Sequence, residues 1–181
     1  MKEQDELLAE LFRQHGASIY RMCFLYLKDH HLAEDAVSET FLKAYRSLSS
    51  FRWESSAKTW LVRIAVNVCR SRIRSPSFRE QAQAQIPEPH RPDSTSAQLE
   101  DRLWICQEIM ALPRKYREVI LLYYYQEYTV KETARLLRLP ATTVAGRLKR
   151  AKALLRTALE EEYLDEIKRT DRPGTEDVVP Q

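Results

Sequence analysis

The amino-acid sequence predicts an all-α protein of two small helical domains joined by a flexible linker, the second ending in a helix-turn-helix. Three observations carry this. Apolar residues recur at three- and four-residue steps along most of the chain, and β-branched alternation is scarce. The stretch 76–98 holds Pro76, Pro87, Pro89 and Pro92 among polar residues, so it offers neither a helical face nor a core. Thr129–Arg156, TVKETARLLRLPATTVAGRLKRAKALLR, reads as two short helices about a sharp turn at Leu139-Pro140. A chain of 181 residues is long enough for two small domains. The boundaries follow: a first domain over 1–75, a linker over 76–98, a second domain over 99–164, and a polar tail over 165–181 expected to be disordered.

In order along the chain, a first helix is expected over Glu3–His15, with Leu7, Leu8, Leu11 and Phe12 on one face. A second, Ala17–Leu27, repeats Ile19, Met22, Cys23, Tyr26 and Leu27. Asp29 is a candidate N-cap for a third over His31–Leu48. That helix buries Leu32, Ala36, Val37, Thr40, Phe41, Ala44 and Tyr45 and shows Asp35, Glu39, Leu42, Lys43 and Arg46 outward. Leu42 on this charged face hints at a protein partner, although single exposed leucines are common. The loop SSFRWESS, Ser49–Ser56, carries two aromatics. The helix after it, Ala57–Arg74, places Trp60, Leu61, Ile64, Ala65 and Val68 inward. In the second domain a helix over Leu99–Met110 ends at Leu112-Pro113. Another over Lys115–Tyr125 offers Tyr116, Val119, Ile120, Leu122 and Tyr123 to a core.

Charge is segregated rather than large. The formal net charge is +3, yet Ser55–Ser75 holds Lys58, Arg63, Arg70, Arg72 and Arg74 and no acid. Over Thr129–Arg156, Glu132 is the sole acid against Lys131, Arg135, Arg138, Arg147, Lys149, Arg150, Lys152 and Arg156. Two basic blocks are the electrostatic footprint of a polyanion ligand; the plainer reading is a solvated helix face.

The residues argue against catalytic and metal chemistry, and no cofactor is implied. His15, His30, His31 and His90 lack ligand spacing, and no Gly-rich phosphate loop or nucleophile elbow occurs. Cys23, Cys69 and Cys106 are far apart and read as small buried hydrophobes. The acidic start, MKEQDELLAE, is no signal peptide, and no apolar run is long enough to span a bilayer, so a cytoplasmic location is expected.

Thr129-Val-Lys-Glu132 is a capping box. Ala134 and Leu137 point inward, and Pro140 opens the next helix, where a missing N–H costs nothing. Val144, Leu148, Ala151 and Leu155 form its buried stripe. Thr143, Arg147 and Arg150 face outward, with Ala145, Gly146 and Lys149 beside them. Arginines near the start of such a helix can contact guanine edges or phosphates.

These residues resemble the extracytoplasmic-function (ECF, group IV) sigma factors. In the first domain the likeness rests on AEDAVSETFLKAYRSLSSFRWESSAKTWLVRIAVNVCRSRIR, similar to region 2. In the second it rests on ALPRKYREVILLYYYQEYTVKETARLLRLPATTVAGRLKRAKALLR, similar to region 4. The resemblance implies a promoter-specificity factor for core RNA polymerase. Asp35, Glu39, Leu42 and Lys43 then dock on the β′ clamp helices. Phe51, Arg52 and Trp53 receive a flipped −10 base. Lys58, Arg63, Asn67, Arg70 and Arg74 contact −10 DNA, and Thr143, Arg147, Lys149 and Arg150 read the −35 element on a domain that also engages the β flap. It further implies an anti-sigma factor as partner. Trp60, at helical spacing with Leu61 and Ile64, is read as core.

Some positions depart from the family pattern. Arg138 stands where glycine is frequent, and a left-handed residue there costs about 1 kcal/mol, so a different turn is expected. Ala145-Gly146 replaces a frequent basic-Ser pair, and Gly146 weakens the helix by roughly 1 kcal/mol relative to alanine. The competing assignment is a helix-turn-helix regulator whose first domain dimerises or senses an effector; a sensor needs neither the basic helix nor the aromatic loop.

Overall fold

The computed structural model describes residues 2–51, 55–75 and 97–170, with the side chains of residue 3, 97–103 and 161–170 left aside. Arg52 and Trp53, most of the linker and the end of the tail lie outside these residues. The described chain is helical, in the order α1 (Lys2–Leu27), α2 (His30–Ser47), a 3-10 turn (Leu48–Ser50), α3 (Ala57–Arg74), α4 (Ala97–Ala111), α5 (Arg114–Ile120), a π turn (Leu121–Tyr125), α6 (Val130–Leu137) and α7 (Ala141–Thr170).

The two N-terminal helices expected from the sequence are one. α1 runs through Gly16, which is buried and whose added Cβ would lie 3.4 Å from the Phe12 ring. Glycine in a helix costs roughly 1 kcal/mol. The stripe of Leu11, Ile19, Met22, Cys23 and Tyr26, all buried, outweighs it. α1 ends where Lys28 takes φ 64° and its N–H bonds to the Phe24 carbonyl at 2.7 Å. Asp29 then caps α2 by accepting from the Leu32 N–H at 2.7 Å, as its sequence position suggests.

Helices α1, α2 and α3 pack on one another around Met22, Cys23, Ala33, Ala36, Phe41, Ala44, Leu61, Val62, Ala65 and Val68. Leu32, Tyr45, Trp60 and Ile64, expected inside, are only half-buried, while Ala33, Val62, Val66 and Cys69 are fully covered. α3 is thus buried over a wider arc than a single stripe. Cys23 and Cys69 meet across α1 and α3 with sulfurs 3.6 Å apart, and the hydrogen bond to Cys23, followed by burial, pushes the Cys69 thiol pKa up.

The C-terminal module packs α7 on α5 and α6 through Val119, Leu122, Ala134, Leu137, Val144, Leu148 and Ala151. The helix expected over Lys115–Tyr125 is α5 continued by a π turn, in which the Gln126 N–H reaches the Leu121 carbonyl at 2.9 Å. Glu127 at φ 63° closes it. α7 extends past Leu164 to Thr170, so the first residues of the segment expected to be disordered are helical. α1 also packs against α4, α5 and the π turn, which brings the two modules into contact.

Candidate nucleic-acid interface

The first candidate surface starts at Ser56, whose hydroxyl accepts from the Thr59 N–H at 3.1 Å and so caps α3. Arg63, Asn67, Arg70 and Arg74 follow at steps of four, three and four, a single stripe at 3.6 residues per turn. Arg63, Asn67 and Arg74 are exposed; Lys58 and Arg70 are not fully so. At the head of the stripe Phe51 stacks on Trp60, ring centroids 4.4 Å apart and planes 20° apart. Trp60 is half-buried and packs against the core, as its spacing suggests, and its ring also pairs with Phe51 at the end of the loop.

Lys58 and Arg70 turn toward the other module. Lys58 Nζ donates to the Gln126 carbonyl at 3.0 Å and lies 5.7 Å from the centre of the Tyr128 ring. Arg70 Nη2 meets Glu118 Oε2 at 2.7 Å, and its Nη1 donates to the Leu137 carbonyl at 3.3 Å. That carbonyl is at the C-terminus of α6, where helix carbonyls lack intrahelical donors and cations are favoured.

Asp35, Glu39 and Leu42 share one face of α2, with Lys43 at its edge. Arg72 of α3 reaches Asp35 at 3.4 Å and Glu39 at 2.9 Å, and Lys43 reaches Glu39 at 2.8 Å. Hydrogen bonds from Lys43 and Arg72 hold the Glu39 carboxyl below the usual carboxylate pKa. Arg72 thus belongs to the acidic face of α2 rather than to the exposed stripe of α3. Leu42 is 50% exposed beside it.

The second surface is the helix-turn-helix. The capping box forms as spaced: Thr129 Oγ1 accepts from the Glu132 N–H at 3.2 Å, and Glu132 Oε2 accepts from the Thr129 N–H at 2.8 Å. The Thr129 hydroxyl also donates to Glu132 Oε2 at 2.7 Å, and this bond, followed by that from the Thr129 N–H, lowers the Glu132 pKa. The turn is not altered by the missing glycine. Arg138 itself takes the left-handed conformation, φ 56° and ψ 48°. Leu139 N–H then reaches the Ala134 carbonyl at 2.9 Å and Arg138 N–H the Arg135 carbonyl at 3.4 Å, the paired bonds of a Schellman motif.

On α7 the expected contacts divide. At about 100° per residue, Thr143, Arg147 and Arg150 flank the buried Val144–Leu148–Ala151 stripe on one side. Ala145, Lys149 and Lys152 flank it on the other, where they line a cleft with Tyr123, Tyr124 and Val130. Lys149 therefore does not share the flank of Arg147 and Arg150. Gly146 lies between the two flanks, and a Cβ there would meet nothing within 4 Å.

Sequence reasoning missed the contacts that join the modules: Tyr26, Glu118, Gln126 and Ser18. Glu118 is 2% exposed, accepts from the Tyr26 hydroxyl at 2.5 Å, and lies 3.4 Å from Arg114 Nε. Its position four residues before Leu122, on the apolar face of α5, was the available signal: an acid there needs a buried partner.

An aromatic-flanked basic helix on one module and a helix-turn-helix on the other define a bipartite DNA-binding protein. Comparison with known proteins agrees module by module. The family model for Sigma-70 region 2 matches residues 11–78, and that for Sigma-70, region 4 matches residues 102–155. The ECF RNA polymerase sigma factor SigW of Bacillus subtilis is 31% identical over 173 residues, covering 88% of this chain and 92% of the relative. Among solved structures, CnrH in complex with the cytosolic domain of CnrY is similar at a TM-score of 0.64 and 25% identity, over 87% of this chain and 90% of that one. RpoE in complex with the anti-sigma factor NepR from Bartonella quintana shares the fold at 0.68 and 24% identity, over 88% and 98%. The chain belongs to the ECF RNA polymerase sigma factors. It is a factor that brings core RNA polymerase to promoters for transcription initiation. The sensing or dimerising regulator is not favoured, because the first domain matches region 2.

Proposed function

We propose that the two modules divide the promoter between them: residues 1–75 dock on polymerase and engage the −10 element, and residues 99–164 read the −35 element. The linker 76–98 spans the distance between the two, and 165–181 follows as a tail. The observation that carries the first assignment is the exposed stripe Arg63–Asn67–Arg74 leading from the Phe51–Trp60 stack. Opening a duplex requires a surface that holds unpaired bases, and stacking beside cationic side chains supplies it. With them, Arg52, Trp53, Lys58 and Arg70 complete the −10 surface. Asp35, Glu39, Leu42 and Lys43 dock on the β′ clamp helices. Thr143, Arg147 and Arg150 contact the −35 element from one flank of α7, Lys149 from the other, and the same module engages the β flap.

The protein carries no catalytic chemistry of its own in this reading, and it acts with polymerase in the cytoplasm. No helix among the described residues is long and apolar enough to cross a membrane. An anti-sigma factor is proposed as a regulatory partner, in line with the complex in which the Bartonella quintana relative was solved.

The test is transcription in vitro. Core polymerase free of other sigma factors is given genomic DNA with and without the protein, and new RNA 5′ ends are sequenced. Discrete new starts sharing motifs at −10 and −35 spacing are expected, and Arg63→Ala should weaken them all. An Arg147→Ala, Arg150→Ala variant should shift the −35 motif and leave the −10 motif in place. Starts without a shared upstream motif would overturn the division.

A further inference from the structure

Glu118 is an acid on the helix-turn-helix module, buried against the basic helix of the other. It receives the Tyr26 hydroxyl at 2.5 Å from α1, Arg70 Nη2 at 2.7 Å and Nε at 3.4 Å from α3, and Arg114 Nε at 3.4 Å from its own helix. Around it the two modules meet through further polar contacts. Lys58 donates to the Gln126 carbonyl, the Gln126 Nε2 donates to Ser18 Oγ at 3.1 Å, and Arg117 Nη1 donates to the Leu25 carbonyl at 3.4 Å. Arg117 is 7% exposed, so a buried cation joins the partly buried Arg70 in this contact.

Two features of this contact matter for function. It is held in part by charged and polar pairs beside apolar packing, and domains within one chain move relative to each other unless their contact is large and apolar. It also occupies Arg70 with the chemistry of its expected DNA ligand. A carboxylate presenting two oxygens to a guanidinium resembles a phosphate doing so, and one guanidinium fork cannot serve both. Lys58 is likewise held on a backbone carbonyl. The rest of the stripe, Arg63, Asn67 and Arg74, stays open.

We propose that Glu118 is an intramolecular latch: it stands in for a DNA phosphate on Arg70, holds the two modules shut, and hides part of the −10 surface in the free protein. The inference rests on the assignment of α3 to −10 DNA made above. Only the open fraction of the free chain then has the full surface available, and its apparent affinity is reduced by that fraction. Binding of polymerase or of a full promoter, which must separate the modules to reach both elements, releases the latch.

The experiment uses the full chain in two measurements. Small-angle X-ray scattering reads the separation of the modules, and fluorescence anisotropy reads binding of a single-stranded oligonucleotide carrying the non-template −10 sequence. Glu118→Gln removes the charge and keeps the shape. It should enlarge the radius of gyration and tighten oligonucleotide binding on the order of tenfold, with unchanged helical circular dichroism. A second variant, Ser18→Cys with Gln126→Cys, places thiols where two side chains touch. Its oxidised form should bind the oligonucleotide more weakly than its reduced form, and reductant should restore binding.

Unchanged scattering in E118Q, with equal binding by the oxidised and reduced double-cysteine protein, overturns the latch. Expansion of E118Q without tighter binding overturns the competition with DNA. Arg63→Ala, outside the latch, separates the premises in that event. If it too leaves binding unchanged, the fault lies in assigning α3 to the −10 element; if it weakens binding, the fault lies in the role given to Arg70.

Discussion

Phe51 lies flat against Trp60, 4.4 Å between ring centres, at the point where the loop after α2 enters α3. The pair is a half-exposed aromatic surface at the head of the Arg63–Asn67–Arg74 stripe. Each base held by stacking is worth about 1–3 kcal/mol. Trp60→Ala should therefore reduce transcription from a duplex promoter by roughly tenfold or more, within that range. A template with a pre-opened −10 bubble should recover most of the loss. Equal losses on both templates, together with a lower melting temperature, would mean that Trp60 serves packing alone.

Arg138 makes the turn between α6 and α7 in a left-handed conformation at φ 56°, which costs a residue with a Cβ about 1 kcal/mol. Arg138→Gly removes that strain but gives the unfolded chain more freedom. The net expectation is a gain of about 0.5 kcal/mol in urea denaturation, with the slope of the transition unchanged. A loss of stability would show that the exposed Arg138 side chain makes a contact worth more than the strain.

Most of this fold was legible because its local signals agree with its packing. Asp29, Thr129-Glu132 and the bounds of α3 follow from hydrogen-bonding chemistry and period alone. What was not legible depends on tertiary contact. The chain makes its helix ends at Lys28, Glu127 and Arg138 with positive φ on non-glycine residues, so the usual marker is absent where the backbone needs it. Gly16 reads as a break yet lies buried within α1, because the stripe on either side of it continues in register. The π turn is silent in a run such as ILLYYY, where every residue is apolar or aromatic whatever the winding. For the site, periodicity placed Arg70 on the stripe with Arg63 and Arg74. It could not reveal that Glu118, distant in sequence, would be brought onto it.

Gly146 is exposed on α7, and an added methyl would meet nothing within 4 Å. Gly146→Ala should stabilise the second module by about 0.8–1 kcal/mol, read as a higher denaturation midpoint. Unchanged stability would mean that the start of α7 is held by its contacts with α5 and α6 rather than by its own helix propensity.

His15 supplies the last prediction, a pH dependence of the contact between modules. The ring is half-buried on α1, and burial followed by the charge of Lys58 lowers its pKa from the ordinary 6.5. Lys58 is also the residue that donates to the Gln126 carbonyl of the second module. Because the folded pKa is depressed, the unfolded chain binds the proton more readily. The contribution of neutral His15 is fully present above 6.5 and is lost as pH falls below that value toward the folded pKa. Protonation also places a second cation beside Lys58 and pushes against its place in the contact. Melting temperatures taken from about pH 7.5 down to about pH 5.5 should fall more steeply for the native chain than for His15→Gln. Parallel slopes for the two proteins would show that His15 does not titrate against the folded state, and the acid sensitivity would then belong to other groups.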